Sequence, residues 1–401
     1  MFLYVVETGL RKEDTAFAAG TFAFLRVCKR WNEIAVGFPQ LWVWLISGAL
    51  KAWDLFKSRS KDAPLFLTWR SRLLDFVPSI LINTEIPSRI RQLDFNGTRE
   101  ELEHILGAFH PRSTSATSSI RLQCLRSNNH KGEYLTRFFF FSFPKLSKLD
   151  IGTSLPDSTS SILTTSNLTS LKLNPPINDS HRYTRSQFLQ VLQQHPNLKQ
   201  LDLSAGGLSL AENSGELVPV LLPCLVDLRF CGGDEVIEGF IDLVSMSSPL
   251  HNVIIDFQPN HGPVVAAHVN TAKKLLTVYY GCKELEHPRK ATHLIASSCM
   301  SGSELKVDAK SHSASASDPI YNLRLQFHGV GTALAQKIIP LFPLKHVREY
   351  DISQLDLSTD DCRRTLRRMD GLLCLRLGNM DTGPVLNALD LIDEGVHREV
   401  A

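Results

Sequence analysis

The chain has 401 residues, of which 43% are hydrophobic and 21% charged, a composition typical of folded proteins. Its 43 basic and 41 acidic side chains leave a formal net charge of +2, which excludes the strong global field expected of a protein that binds nucleic acid or an acidic membrane. No apolar run reaches the roughly 18 residues of a membrane-spanning helix. We therefore expect neither nucleic acid nor a membrane as partner.

The eight cysteines are scattered and include no C-x-x-C pair, which argues against a zinc ribbon or a disulfide scaffold. The amino-terminal residues also lack the basic lead of a secretory signal. These features predict reduced thiols, no metal, no cofactor, and a location in the cytoplasm or nucleus.

The first predicted element is an amphipathic helix within residues 24–42. Its apolar residues recur at steps of three and four and form one stripe, which comprises Phe24, Val27, Cys28, Trp31, Ile34 and Ala35. Gly37 and Pro39 end the helix, and the turn Pro39-Gln40-Leu41-Trp42 follows. A helix of this kind packs its stripe against a core. A purely structural interpretation is therefore a helix that covers the first layer of a larger core.

The run Val-Cys-Lys-Arg-Trp-Asn-Glu-Ile-Ala, followed by Pro-Gln-Leu-Trp, resembles the second half of an F-box. F-boxes are short helical modules that dock substrate receptors onto Skp adaptors of ubiquitin ligases. The resemblance implies a module core and adaptor surface built from Leu25, Val27, Cys28, Trp31, Ile34, Leu41 and Trp42. It also implies that Trp31 is buried, so that Trp31→Ala would cost roughly 3–5 kcal/mol.

The Leu-Pro pair that opens an F-box is missing, and Phe2-Leu3-Tyr4 lies where the opening helix would finish. The connection over residues 8–23 is also longer than in the compact module. We interpret the module as incomplete, either truncated or degenerate.

A short phrase, apolar-x-x-apolar-x-apolar, recurs along the rest of the chain. Its middle residues are Leu93, Leu149, Leu171, Leu201, Leu228, Val253, Val278, Leu323, Tyr350 and Leu375, and most steps between them lie between 22 and 30 residues. The two wide gaps are each expected to hold one degenerate repeat, at Leu122-x-Cys124 and at Leu305-x-Val307. This spacing is that of leucine-rich repeats.

Each phrase predicts a strand whose last two apolar residues point inward, and parallel pairing of such strands needs a return segment. Helical patterns are present at residues 185–194, 235–246, 332–339 and 359–369. The sequence therefore predicts an α/β fold, a leucine-rich-repeat solenoid with a parallel sheet on its concave face and helices on its convex face.

The predicted organisation is an incomplete F-box-like module over 1–58, a linker and amino-terminal cap over 59–89, the solenoid over 90–390, and a carboxyl-terminal tail over 391–401, for which truncation is one interpretation. The segment Ala63–Trp69 is expected to join the first helix in capping the array. Serine-rich stretches at 113–119, 153–166 and 311–317 are interpreted as loops.

Side chains that flank the inward positions are expected on the concave face, the usual binding surface of such arrays. The candidate substrate-binding residues are Gln92, Asp94, Lys148, Asp150, Lys172, Gln200, Asp202, Asp227, Arg229, Asn252, Glu349, Asp351 and Arg376. Their mixed charges favour a protein as the ligand.

No catalytic motif is present, so we predict that the chain is not an enzyme. The basic cluster Arg363-Arg364-x-x-Arg367-Arg368 is interpreted as a solvated helix face, with binding of phosphate or an acidic partner as the less favoured alternative. The leading hypothesis is the substrate-recognition subunit of a Skp-cullin-F-box ubiquitin ligase, within the ubiquitin conjugation pathway. Its expected partners are a Skp-family adaptor, a cullin scaffold and an unknown protein substrate. The alternative is a leucine-rich-repeat scaffold or interaction protein with no ligase link.

Overall fold

The computed structural model describes residues 28–46, 53–70, 85–109, 121–127, 143–152, 158–164, 167–174, 182–204, 208–209, 218–245, 250–258, 265–280, 291, 293–298, 304–311, 322–328, 332–355, 357–377 and 382–390. The chain divides into two compact units, Met1–His181 and Arg182–Ala401. Both units combine helices with a mostly parallel sheet, which confirms the predicted α/β class.

The first unit contains six strands of the main sheet and five short helices among its described residues. The strands are β1 (Trp44–Ile46), β2 (Leu65–Arg70), β3 (Ile90–Asn96), β4 (Cys124–Ser127), β5 (Lys148–Ile151) and β6 (Ser170–Leu173). The helices are α1 (Lys29–Gly37), α2 (Trp53–Ser60), α3 (Glu85–Arg89), α4 (Arg99–Phe109) and α5 (Ser161–Thr164). Each strand lies beside the next along the chain and parallel to it.

The recurring phrase supplies three of the five leucines in the inward row of this sheet, Leu93, Leu149 and Leu171. Leu67, Leu93, Leu125, Leu149 and Leu171 are aligned across the strands and each is at most 2% exposed. Because alternate side chains of a strand point to opposite faces, the polar residues between these leucines are directed to the other face. The degenerate repeat predicted near Leu122 is confirmed as a strand, with Leu125 rather than Cys124 in the inward row.

The segment Ala63–Trp69, expected to cap the array, contributes Leu65–Trp69 to strand β2 of the sheet. Leu65, Leu67 and Trp69 are buried, and this period of two is that of a strand with one covered face. The outer edge of β1 is covered by an aromatic side chain, because the Trp53 indole donates to the carbonyl of Ile46 at 2.8 Å. Occupying this carbonyl removes one acceptor from an edge that would otherwise pair with another strand.

The second unit contains the remaining strands and helices that the structure describes. Its main-sheet strands are β8 (Gln200–Ser204), β11 (Asp227–Gly232), β13 (Asn252–Phe257), β14 (His293–Ser298), β15 (Glu304–Lys310), β16 (Asn322–His328), β17 (Glu349–Gln354) and β18 (Cys374–Arg376). Two small parallel pairs are formed by β7 (Tyr183–Thr184) with β9 (Leu208–Ser209) and by β10 (Val220–Leu221) with β12 (Val244–Ser245).

The helices of the second unit are α6 (Arg185–Gln193), α7 (Asp234–Leu243), α8 (Val265–Tyr280), α9 (Thr332–Ile338), α10 (Thr359–Leu366) and α11 over residues 383–390. The helices predicted at 185–194, 235–246, 332–339 and 359–369 are thus confirmed as α6, α7, α9 and α10. Helix α6 begins at a capping box in which Thr184 and Gln187 satisfy each other's backbone amides.

The strand order of the second unit departs from a simple series. It runs β8, β11, β13, β16, β15, β14, β17, β18, and β15 is antiparallel to both of its neighbours. The repeat predicted at Leu305-x-Val307 is therefore wrong in its direction, although both side chains are buried. Antiparallel neighbours can be joined without a helical return, unlike the parallel strands of the other repeats.

The phrase Leu275-x-x-Val278-x-Tyr280 was predicted to be a strand, and this prediction is wrong. These residues lie in α8, whose buried side chains include Thr271, Ala272, Leu275, Leu276 and Tyr279. Steps of three and four along this set form a single helical stripe. The recurring phrase begins with a step of three residues, which is also a helical spacing. A helical segment can therefore match the phrase without forming a strand.

Helix α1 does not pack as its apolar stripe predicted. Ala35 is its buried residue, whereas Trp31 is 39% and Ile34 is 55% exposed. The expected burial of Trp31 is therefore wrong. The core is supplied by the following turn instead, where Leu41 and Trp42 are 4% and 1% exposed.

Candidate functional site

In each unit the predicted substrate-binding residues lie on the polar face of the sheet, and none of them is buried. In the first unit these are Gln92, Asp94, Lys148, Asp150 and Lys172; in the second they are Gln200, Asp202, Asp227, Arg229, Asn252, Glu349, Asp351 and Arg376. Within each unit the strand registers bring them together in rows. That they bind a substrate remains a prediction.

Two rows cross the polar face of the first unit. The first row contains Trp44, Phe66, Gln92, Cys124, Lys148 and Ser170, aligned from β1 to β6. The second contains Thr68, Asp94, Arg126, Asp150 and Lys172, aligned from β2 to β6. Neighbouring charges in the second row alternate in sign.

An aromatic pair at the start of the first row was missed by the sequence reasoning. The rings of Trp44 and Phe66 stack with centroids 4.6 Å apart at an interplanar angle of 25°, and both side chains are only partly buried. The recurring phrase was identified from Ile90 onward, so it did not assign these residues to the sheet. Strict alternation over Leu65–Arg70 was the available signal.

The polar face of the second unit is connected by contacts between neighbouring strands. The Gln200 amide donates to Asp227 at 3.1 Å, and Glu349 accepts from Arg376 at 3.2 Å while lying 3.1 Å from the His293 Nε2. Such pairs hold side chains in fixed positions, because each group is restrained by a partner on the next strand.

The antiparallel insertion adds polar residues that were not predicted. Arg324 Nε donates to Asp308 at 2.6 Å, and Gln326 donates to Glu304 at 2.7 Å. His328 Nε2 lies 2.8 Å from Asp256 Oδ1. Arg324 and Gln326 flank the buried Leu323 and Leu325 of a predicted repeat, so the alternation that gave the other candidates was the available signal.

Three cysteines have pKa values raised by burial. For Cys231 desolvation, followed by the adjacent Asp256 carboxylate, raises the pKa to about 12. Desolvation raises the pKa of Cys362 to about 11, and it also raises the pKa of Cys124. These thiols stay protonated near neutral pH, so they lack the thiolate that nucleophilic or redox chemistry requires.

The residues predicted to contact an adaptor fall into three groups. Leu25 and Val27 lie outside the described residues, Cys28, Trp31 and Ile34 are exposed, and Leu41 and Trp42 are buried. The exposed residues lie on α1 or at its amino end, and the buried Leu41 and Trp42 lie in the turn that follows the helix. The Trp42 indole joins the two, since it donates to the Ala35 carbonyl at 2.7 Å.

The arginine cluster lies on the surface at the carboxyl end of α10, with Arg363 and Arg364 in the helix and Arg367 and Arg368 just after it. Arg363 pairs with Asp360 at 2.9 Å, and Arg364, Arg367 and Arg368 are exposed. The arginines are near the carboxyl end of the helix, where positive charge complements the helix dipole. A stabilising role at the helix end accounts for this cluster without a ligand.

Within the described ranges, no group of three or more His, Cys, Asp or Glu side chains is arranged to hold a metal ion. The described helices include none with the length and apolar character needed to cross a bilayer. No family model matches the chain, and no curated protein is significantly similar to it.

Proposed function

We propose that this protein is the substrate-recognition subunit of a Skp-cullin-F-box ubiquitin ligase. In this proposal α1 docks a Skp-family adaptor, and the strands and their returns form a leucine-rich-repeat solenoid whose polar face binds a protein substrate. The observation that carries the proposal is the exposed apolar surface of α1, in a segment that resembles the second half of an F-box.

The exposed apolar residues of α1 are arranged for contact with another protein. Trp31 and Ile34 are three residues apart, so they lie next to each other on the helix surface, and Phe38, 44% exposed, follows just after the helix. A helix that presents apolar anchors at such steps binds in the apolar groove of a partner. Exposed apolar residues that are close together are typical of a surface that binds another molecule.

The polar faces of the sheets support the other part of the proposal, the binding of a protein substrate. Their mixed charges and side-chain amides match the polar character of protein interfaces and offer no continuous basic track for nucleic acid. A receptor of this kind performs no bond chemistry. It raises the effective concentration of substrate lysines near the ubiquitin-loaded enzyme.

Co-purification of the full chain with a purified Skp-family adaptor tests the docking role. We expect the wild-type chain to bind, and Trp31→Glu and Ile34→Glu to lose most binding, because each places a charge in an apolar contact. Lys29→Glu is the matched control, since Lys29 is highly exposed on the same helix and outside the apolar surface. Equal adaptor binding by wild type and Trp31→Glu, or no binding by the wild type, would refute the adaptor role.

The second candidate function is a leucine-rich-repeat interaction protein without a ligase link. The paired polar side chains on the sheet of the second unit support it, because such a surface can bind a partner outside a ligase equally well. This alternative predicts that the sheet face binds a partner while a purified adaptor does not associate with the chain.

A further inference from the structure

The first polar row of the first unit differs in character from the rest of that face. It begins with the stacked rings of Trp44 and Phe66, continues through the Gln92 amide and the Cys124 thiol, and reaches Lys148 on β5. Lys148 is the charged residue among these and is exposed. The row thus presents an apolar end and, across the sheet, a single cation.

In the second row of the same face, the positive and negative side chains compensate one another. Its charges alternate from Asp94 to Arg126, Asp150 and Lys172, and the Lys172 ammonium lies 3.8 Å from Asp150. Neighbouring charges of opposite sign satisfy one another across strands. Because the charges of the second row compensate one another, the first row is the part of this face that is suited to bind a ligand.

We propose that the first row binds an extended segment of a partner protein, with one large apolar side chain against Trp44 and Phe66 and one carboxylate at the Lys148 ammonium. This inference rests on the proposed function in one respect, since it takes the sheet face as the partner-binding surface. It adds the chemical class of the bound segment.

The spacing of the two anchors in the segment follows from sheet geometry. Phe66 and Lys148 are separated by three strand spacings of about 4.8 Å, or about 14 Å, and an extended chain advances about 3.4 Å per residue. The carboxylate therefore belongs about four residues from the apolar anchor. Gln92 lies between the two anchors, where its amide can both donate to and accept from the backbone of the segment.

A protein segment fits this face better than single-stranded nucleic acid. Trp44 and Phe66 stack on each other, which occupies ring faces that bases would use. Asp94 and Asp150 in the adjacent row would repel a phosphate backbone beside Lys148. One isolated carboxylate is matched by one lysine, whereas a nucleic acid needs a continuous basic track.

Fluorescence anisotropy with the full chain and labelled twelve-residue peptides tests the inference. The probe peptide carries Phe and, four positions away, Glu in a Ser/Gly/Gln background, and the comparison peptides carry Lys at that position or Glu directly beside Phe. We expect the probe peptide to bind at least tenfold more tightly than either comparison peptide. Phe66→Ser and Trp44→Ser should each weaken its binding at least tenfold, as loss of an aromatic anchor does at other interfaces.

A charge exchange separates binding from folding. Lys148→Glu should reverse the preference, so that the Phe/Lys peptide binds more tightly than the Phe/Glu peptide, an outcome that a misfolded variant does not give. Lys145→Glu is the matched control, because Lys145 is exposed three residues earlier and outside the strand, and it should leave the preference unchanged.

Equal binding of all peptides, no binding of any, or an unreversed preference in Lys148→Glu would overturn the inference. So would tighter binding of a fifteen-nucleotide oligo-dT than of the probe peptide. No adaptor is present in this assay, so loss of adaptor docking and loss of peptide recognition are separate results.

Discussion

Two tryptophans close to each other in the sequence show how strongly the environment decides the role of a residue. Trp31 is 39% exposed on α1, whereas Trp42 is 1% exposed. Trp42 contacts Phe56 edge-on at 5.4 Å, and the Arg59 guanidinium lies 4.4 Å from its ring centroid. The resemblance to an F-box assigned both side chains to one module, but packing assigns one to the core and one to the surface.

The first prediction compares alanine substitutions at these two positions. Trp42→Ala should lower the free energy of unfolding by roughly 3–5 kcal/mol, because it leaves a large cavity and removes the indole hydrogen bond. Trp31→Ala should change it by less than about 1 kcal/mol, since surface substitutions are mild. Urea denaturation followed by circular dichroism measures both, and equal destabilisation by the two variants would contradict the packing described for α1.

The second prediction concerns Cys231. Its pKa is raised from 9.0 to about 12 in the folded state, mainly by desolvation, so the protonated thiol stabilises the fold. This contribution is complete below pH 9 and is lost as the pH rises through the folded-state value. Wild type should therefore lose more stability than Cys231→Ser between pH 9 and 12. Parallel stability curves for the two proteins in urea titrations over this range would exclude the shift.

At the scale of elements, α7 and α8 are joined by a buried contact between a histidine and an aspartate. His268 Nδ1 lies 2.8 Å from Asp234 Oδ1, and the two residues are 3% and 9% exposed. The His268 ring also contacts Phe257 and Phe327 beneath it on the sheet. Because a carboxylate only accepts hydrogen bonds, the pair fixes the Nδ1 position as the donor and orients the ring between these aromatic side chains.

The third prediction tests this pair. Asp234→Ala should cost about 1–3 kcal/mol, because it leaves the buried imidazole donor without its acceptor. In a double-mutant cycle with His268→Ala, the two losses should fail to add by at least about 0.5 kcal/mol.

Lys274 and Asp242 provide the control, since they join the same two helices at 2.7 Å but are partly exposed. Asp242→Ala should cost less than about 1 kcal/mol, as exposed pairs do. A cost for Asp242→Ala as large as that for Asp234→Ala would show that burial does not determine the strength of the helix contact.

At the scale of the molecule, each unit is a sheet with one covered and one polar face. In the second unit the inward row includes Leu201, Leu228, Val253 and Leu323, each at most 1% exposed. The side chains between them carry the polar contacts of the opposite face. Stability and binding are therefore assigned to alternate residues of the same strands.

The fourth prediction separates these two roles on β11. Leu228→Ala should cost about 2–5 kcal/mol, because it removes buried volume from the inward row. Arg229→Ala, on the next residue, should cost about 0.5 kcal/mol or less. Denaturation midpoints decide this, and a larger cost for Arg229→Ala would mean that the polar face, not the inward row, holds the sheet together.

The sequence alone determined the α/β class, four of the return helices and most of the parallel strands. It did so because a strand with one buried face repeats its apolar residues with a period of two, and because helix caps and periodicity are local signals. The polar-face positions followed from the same alternation. The thirteen candidate residues between Gln92 and Arg376 are unburied, and that they bind a substrate stays a prediction.

Only the tertiary structure decided which strands are neighbours and which apolar residues are covered. The antiparallel insertion of β15, the helical state of Leu275 to Tyr280 and the aromatic pair of Trp44 and Phe66 depend on contacts between residues distant in sequence. Trp31 shows the same limit, since a periodic stripe identifies an apolar helix face but does not specify what covers it. Periodicity is a property of one segment, whereas burial is a property of two surfaces that meet.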